Sequence, residues 1–134
     1  MLFTFLFVHA VPSAPVSVQV ETVTGQPSQL SVSWQPPLTP NGLLTGYTAY
    51  CIESPDDEVY GSGPPSVFPF QNITSNATVL GSESSTVVDG LDPYTTYDCF
   101  VTAYTLIGEG EPSYAASGTT DESSKLISLP PYKM

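Results

Sequence analysis

An all-β sandwich of short antiparallel strands is the fold class predicted by this sequence, and three observations carry it. Aromatic and β-branched residues are plentiful, 10 glycines and 14 prolines punctuate the chain, and no window of a dozen residues sustains a 3.6-residue apolar period. The clearest single segment, Leu91 to Tyr104, opens on the turn dipeptide Asp92-Pro93 and then alternates strictly. Tyr97, Cys99, Val101 and Ala103 share one parity, and Asp98, Phe100, Thr102 and Tyr104 share the other. A length of 134 residues is enough for one core and too short for two ordinary ones.

The elements follow in order. Residues 1–12 are an apolar leader, MLFTFLFVHA and then Val11-Pro12, ending in small residues at Val8 and Ala10. It resembles the tail of a secretory signal peptide without the basic n-region. The alternative is a mispredicted first exon or the end of a preceding segment in a longer gene. The run is too short to span a bilayer, which takes about 20 apolar residues.

After Pro12-Ser13-Ala14-Pro15, the alternation of Val16, Val18 and Val20 with polar residues predicts a first strand. Gly25-Gln26-Pro27-Ser28 turns the chain, and Leu30, Val32 and Trp34 then mark a second. Pro36-Pro37 ends it, because neither proline can donate to a ladder. Asn41-Gly42 signals a turn in the next loop. The third strand, about Thr45 to Glu53, is apolar on both parities, so parity alone leaves its inward face open. A long insert, residues 54–82, follows and is rich in Gly, Pro and Ser, with one edge strand expected near Ser66 to Ile73. Thr86 to Val88 form a short fifth segment, and the Leu91–Tyr104 stretch holds the sixth strand. The glycine turn Ile107-Gly108-Glu109-Gly110 leads to a weakly patterned seventh around Tyr114 to Thr120, and residues 122–134 read as a tail or linker.

Charge restricts the partners. Thirteen acidic residues stand against two lysines, Lys125 and Lys133, and no arginine, for a net charge of −11. Such a surface repels phosphate and sulfate backbones, which argues against nucleic acid and heparin-like polyanions. With no internal Lys or Arg pairs to lose, the fold is expected to tolerate mild acidification.

Several segments together carry a family resemblance. From about Ser13 to Asp121, a proline-led first strand, SVSWQPP around Trp34, TGYTAY around Tyr47, GLDPYTTY and IGEGEPS occur in the order and near the spacing of a fibronectin type III domain, which the chain resembles closely. The resemblance implies a seven-stranded antiparallel immunoglobulin-like sandwich, three strands packed on four, with Trp34 at its centre and Tyr47, Leu91 and Val101 in the core. It also implies that the Tyr97 hydroxyl bonds back to the backbone near the preceding turn, as in a tyrosine corner. Two departures stand out: the insert is longer than the family needs, and the two cysteines are not a general family feature.

In that topology Cys51 and Cys99 fall on neighbouring strands of one sheet and share the inward parities of Tyr47 and Tyr97. A disulfide is the favoured reading for an extracellular chain, with two buried thiols as the alternative. Asn72-Ile73-Thr74 and Asn76-Ala77-Thr78 are N-glycosylation sequons, two among only three asparagines, both in the polar insert. Asp56-Asp57-Glu58 offers oxygen ligands but lacks the spacing of a calcium loop, so a solvated acidic loop is preferred. No metal or other cofactor is expected.

Catalysis finds little support. The one histidine, His9, lies in the leader, no glycine-rich phosphate loop opens a helix, and no carboxylate pair sits in an apolar setting that would tune it. The Thr105–Pro112 loop has no Arg-Gly-Asp tripeptide, and no Trp-Ser-x-Trp-Ser box precedes the end. Tyr50, Ile52, Phe100 and Tyr104 are expected to form an apolar stripe on the outward sheet face, either open as an interface or covered by the insert.

The expected function is a non-catalytic extracellular interaction or spacer module of an adhesion, matrix or receptor protein, secreted or within an ectodomain. Its partner would be a protein or a carbohydrate-bearing surface. The alternative is an accessory domain of a larger secreted or membrane-bound enzyme, such as a glycoside hydrolase or receptor phosphatase. A cytoplasmic filament domain of the same fold is a third.

Overall fold

The computed structural model describes residues 10–55 and 72–122. Seven strands occur among them: β1 (Val16–Thr22), β2 (Leu30–Gln35), β3 (Gly46–Glu53), β4 (Ser75–Leu80), β5 (Ser85–Val88), β6 (Thr96–Tyr104) and β7 (Ala116–Thr119). They form two antiparallel sheets, ordered β1-β2-β5 and β4-β3-β6-β7. This is the predicted sandwich of three strands on four, with no helix among the described residues.

The turns follow their local chemistry. β2 stops at Gln35, before Pro36. Gly25, at φ 83°, takes the left-handed conformation that its lack of a Cβ allows, and the Gln26 N–H donates to the Val23 carbonyl at 3.0 Å. Asn41 and Gly42 both take positive φ, at 58° and 145°, as the Asn-Gly signal predicts. In β1 the register slips by one residue between Val16 and Gln19, and Ser17 sits in the slip at φ 57°. Such a bulge twists an edge strand and blunts it against further pairing.

The core is made by one parity of each strand. Leu30, Val32 and Trp34 face Tyr47, Ala49, Cys51, Tyr97, Cys99, Val101 and Ala103 across the sandwich, with Val88 and Leu91 closing it. Trp34 and Tyr47 meet at 5.1 Å between centroids, tilted by 49°. The Trp34 Nε1–H is buried without an acceptor among the described residues. At the seam between the sheets, a Cβ on Gly118 would lie 2.4 Å from Val20 Cγ1. Only glycine lets β7 approach β1 that closely.

The edge strand expected near Ser66 to Ile73 lies, but for its last two residues, outside the described residues, and a strand not marked in the sequence, β4, occurs at Ser75–Leu80. Asn72, at φ 61°, turns the chain before pairing starts, and the strand's inward residues are only Ala77 and Val79, a weak apolar signal. β7 is shorter than expected, because its ladder with β6 begins at Ala116. The leader to residue 9, the tail from residue 123 and Asp56-Asp57-Glu58 lie outside the described residues.

Candidate interaction surface

The predicted structural residues converge on β3 and β6. Cys51 and Cys99 are direct register partners, and a disulfide joins them inside the four-stranded sheet. Trp34, Tyr47, Leu91, Tyr97 and Val101 are all buried. The Asp92 N–H donates to the Tyr97 Oη at 2.8 Å, pinning the strand to the turn that feeds it. Burial pushes the Tyr97 and Tyr47 phenols above their ordinary value, and the Asp92 N–H pulls Tyr97 part of the way back.

Outward-facing residues of the same strands do not form an open apolar stripe. Phe100 is only 1% exposed, and Tyr50 is half-buried and stacked on it at 5.1 Å and 22°. The part of the insert expected to cover them, residues 56–71, lies outside the described residues. Beside this pair runs a polar network. The Tyr50 hydroxyl donates to Glu109 Oε2 at 2.6 Å, and the Thr102 hydroxyl donates to the same oxygen at 2.7 Å. Thr48 Oγ1 donates to the Tyr104 Oη at 3.1 Å and lies 2.8 Å from Thr78 Oγ1. Burial first, and the Glu109 acceptor second, push the Tyr50 phenol well above its ordinary value.

Glu109 is the residue that sequence reasoning passed over. It sits between Gly108 and Gly110 just after β6, and the Gly110 N–H donates to the Ala103 carbonyl at 2.8 Å. A Cβ on Gly110 would lie 2.1 Å from the Pro12 carbonyl oxygen. That glycine lets the loop close against the N-terminal segment and carry Glu109 onto the sheet face. An acid flanked by glycines was the available signal.

Leu38, Leu43, Leu106 and Ile107, four of the exposed apolar side chains, lie on two loops at one end of the sandwich. Thr105 and Gly108 exchange backbone bonds of 3.1 Å in both directions, so Leu106 and Ile107 form the tip of a tight turn. Gly42 lies against Thr105, which brings the loop before β3 up to that turn. Asn41 Nδ2 donates to the Val11 carbonyl at 2.9 Å and holds the N-terminal segment at the same end. Leu38, Leu43, Leu106 and Ile107 are 84, 83, 91 and 52% exposed. The opposite end carries the exposed Tyr94, whose backbone N–H donates to the Asp121 carbonyl at 2.9 Å, beside polar contacts: the Asp121 carboxylate accepts from the Gly25 N–H at 2.8 Å, and this bond, then one from the Glu122 N–H, holds its carboxyl below the usual range.

Asn72 and Asn76, the two sequon asparagines, are exposed in the turn before β4 and within β4. No group of three or more His, Cys, Asp or Glu side chains that could hold a metal occurs among the described residues. Nor is any helix there long and apolar enough to cross a membrane.

Comparison with known proteins agrees with this architecture. The chain is 34% identical over 101 residues to tyrosine-protein phosphatase Lar of Drosophila melanogaster, covering 75% of this chain and 4% of that protein. It is 33% identical over 118 residues to the cell adhesion molecule Dscam2 of the same organism, covering 86% of this chain and 5% of the relative. It is 36% identical over 105 residues to human receptor-type tyrosine-protein phosphatase F, covering 78% and 5%. The chain thus spans about one twentieth of the length of these relatives. Among solved structures, the FN5 domain of Drosophila Lar superposes with a TM-score of 0.58 at 25% identity, covering 84% of this chain and all of that one. A three-domain segment of titin gives 0.60 at 21% identity, covering 84% and 33%, a likeness of fold alone. The family model for the fibronectin type III domain matches residues 13–119, and the chain belongs to that family.

Proposed function

We propose that this chain is a non-catalytic interaction module of a longer adhesion or receptor-type protein, working outside the cell and meeting its partner through the end of the sandwich that carries Leu38, Leu43, Leu106 and Ile107. The observation that carries the reading is the exposure of these side chains on two loops at the same end of the sandwich. A disulfide between Cys51 and Cys99 supports an oxidising compartment, as does the similarity to an adhesion molecule and to receptor phosphatases. The two sequons fit the same setting, in which N-glycans are added. The net charge of −11 directs the module toward protein or carbohydrate-bearing partners and away from polyanions.

The test is binding of the folded module to an array of recombinant ectodomains from its own source. The Leu43→Ser/Leu106→Ser variant is expected to melt like the wild type and to lose the bound partner. Binding that survives in this variant overturns the loop-end assignment. The similarity to Lar and to phosphatase F favours a second reading, an accessory domain of a membrane-bound phosphatase. A full-length transcript decides between them by the presence or absence of a phosphatase domain downstream.

A further inference from the structure

The register of the four-stranded sheet sets Asn76, Tyr50 and Phe100 side by side on its outward face. Asn76 pairs with Tyr50 across β4 and β3, and Tyr50 pairs with Phe100 across β3 and β6. Ala77 and Val79 of β4 pack on the core, so Asn76, Thr78 and Leu80 point outward, and Asn76 is exposed. Directly opposed residues hold their Cβ atoms about 5 Å apart. A sugar on the Asn76 amide therefore reaches the Tyr50 ring within its first residue. The C–H face of a pyranose complements an aromatic ring, whose face carries the negative part of its quadrupole.

Asn72 offers no such seat. It lies in a left-handed turn at φ 61°, beyond the last pair of the β3–β4 ladder, Cys51 with Ser75. Its sequon threonine, Thr74, accepts the Glu53 N–H at 3.3 Å, which ties that segment to the end of β3 and away from the aromatic row.

We propose that Asn76 is the N-glycosylated residue and that its first N-acetylglucosamine packs against Tyr50 at the β4 edge of this row. The inference rests on the extracellular reading given above. In the transfer, the Asn76 amide nitrogen bonds to the anomeric carbon of an oligosaccharide carried on a lipid pyrophosphate. The carbon–oxygen bond to the pyrophosphate breaks, the lipid pyrophosphate leaves, and the nitrogen gives up one proton.

The experiment is secretion of the full chain from insect cells behind a secretory leader, followed by glycopeptide mass mapping and thermal melting. Expected results are occupancy at Asn76 and a melting temperature, after trimming to a single N-acetylglucosamine, a few degrees above that of Asn76→Gln. Tyr50→Leu should erase that difference, because the cycle isolates the contact between sugar and ring. Secreted protein with the Cys51–Cys99 bond formed but with Asn76 bare overturns the glycan proposal and leaves the extracellular reading standing. Equal melting of trimmed wild type and Asn76→Gln overturns the packing. A chain retained in the cell with reduced cysteines overturns the extracellular reading and this proposal with it.

Discussion

β3 and β6 are buried on both sides, and the two sides are closed by different means. Inward, Cys51, Cys99, Ala49, Val101 and Tyr47 meet the opposing sheet as an apolar layer stapled by a disulfide. Outward, Thr48, Thr102 and Phe100 are as deeply buried, yet the contacts on this side among the described residues include hydroxyls, the Tyr50–Phe100 pair and the Glu109 carboxylate. Burial alone therefore does not identify the core. The inward side gains from removal of apolar surface and from loop closure, whereas the outward side depends on every buried hydroxyl keeping a partner.

Breaking the inward side should cost most. Replacing both cysteines by alanine opens a closure of 48 residues and should remove about 4 kcal/mol in the chain-entropy account. Denaturant unfolding of the double variant checks this; a midpoint unchanged from the oxidised wild type would place the stability elsewhere. Tyr97→Phe comes next. It leaves the Asp92 N–H without its acceptor and should cost about 1–3 kcal/mol in the same assay.

On the outward side, Glu109→Ala removes the shared acceptor of Tyr50 and Thr102, and a loss of about 1–3 kcal/mol is expected. Glu109→Gln keeps a carbonyl oxygen there and should lose less. If alanine proves neutral, the outward network contributes nothing and the contrast between the two sides collapses.

The pH response should be smaller and one-sided. Tyr47, Tyr50 and Tyr97 titrate higher in the fold than their ordinary 10.0. Their contribution is complete below pH about 10 and declines above it, because the unfolded chain releases these protons first. Melting between pH 9 and 11 reads the decline. Asp121 has the opposite sign: its lowered value contributes above the ordinary 3.8 and is lost as pH falls below it. Between pH 7 and 5 neither window is crossed, so the melting temperature should not fall.

The inward side was legible because alternation has a period of two, and Tyr97, Cys99, Val101 and Ala103 announce it without knowledge of any partner strand. Phe100 falls on the outward parity by the same rule, whereas Tyr50, on a strand apolar on both parities, is placed outward only by the family resemblance. Their contacts could not be read, because these depend on which residues of β3 and β6 stand opposite each other and on a loop bringing Glu109 to Tyr50 and Thr102. β4 was not marked in the sequence for a related reason. An edge strand whose outward residues are Asn76, Thr78 and Leu80 looks like loop until its pairing with β3 is known. The loop-end leucines were visible as letters, but only the Thr105–Gly108 turn and the approach of Gly42 to Thr105 show that the two loops carrying them meet at one end.

The Cys51–Cys99 bond also limits how far the domain can lengthen under tension. If its two ends are pulled apart, the ladders can rip until the load reaches Cys51, where it crosses the sulfur bridge to Cys99 and bypasses the 48-residue separation. At about 3.5 Å per extended residue, about 170 Å of contour is withheld. A reducing environment would release that length, so a single covalent bond sets whether the unfolded module behaves as a short tether or a long one.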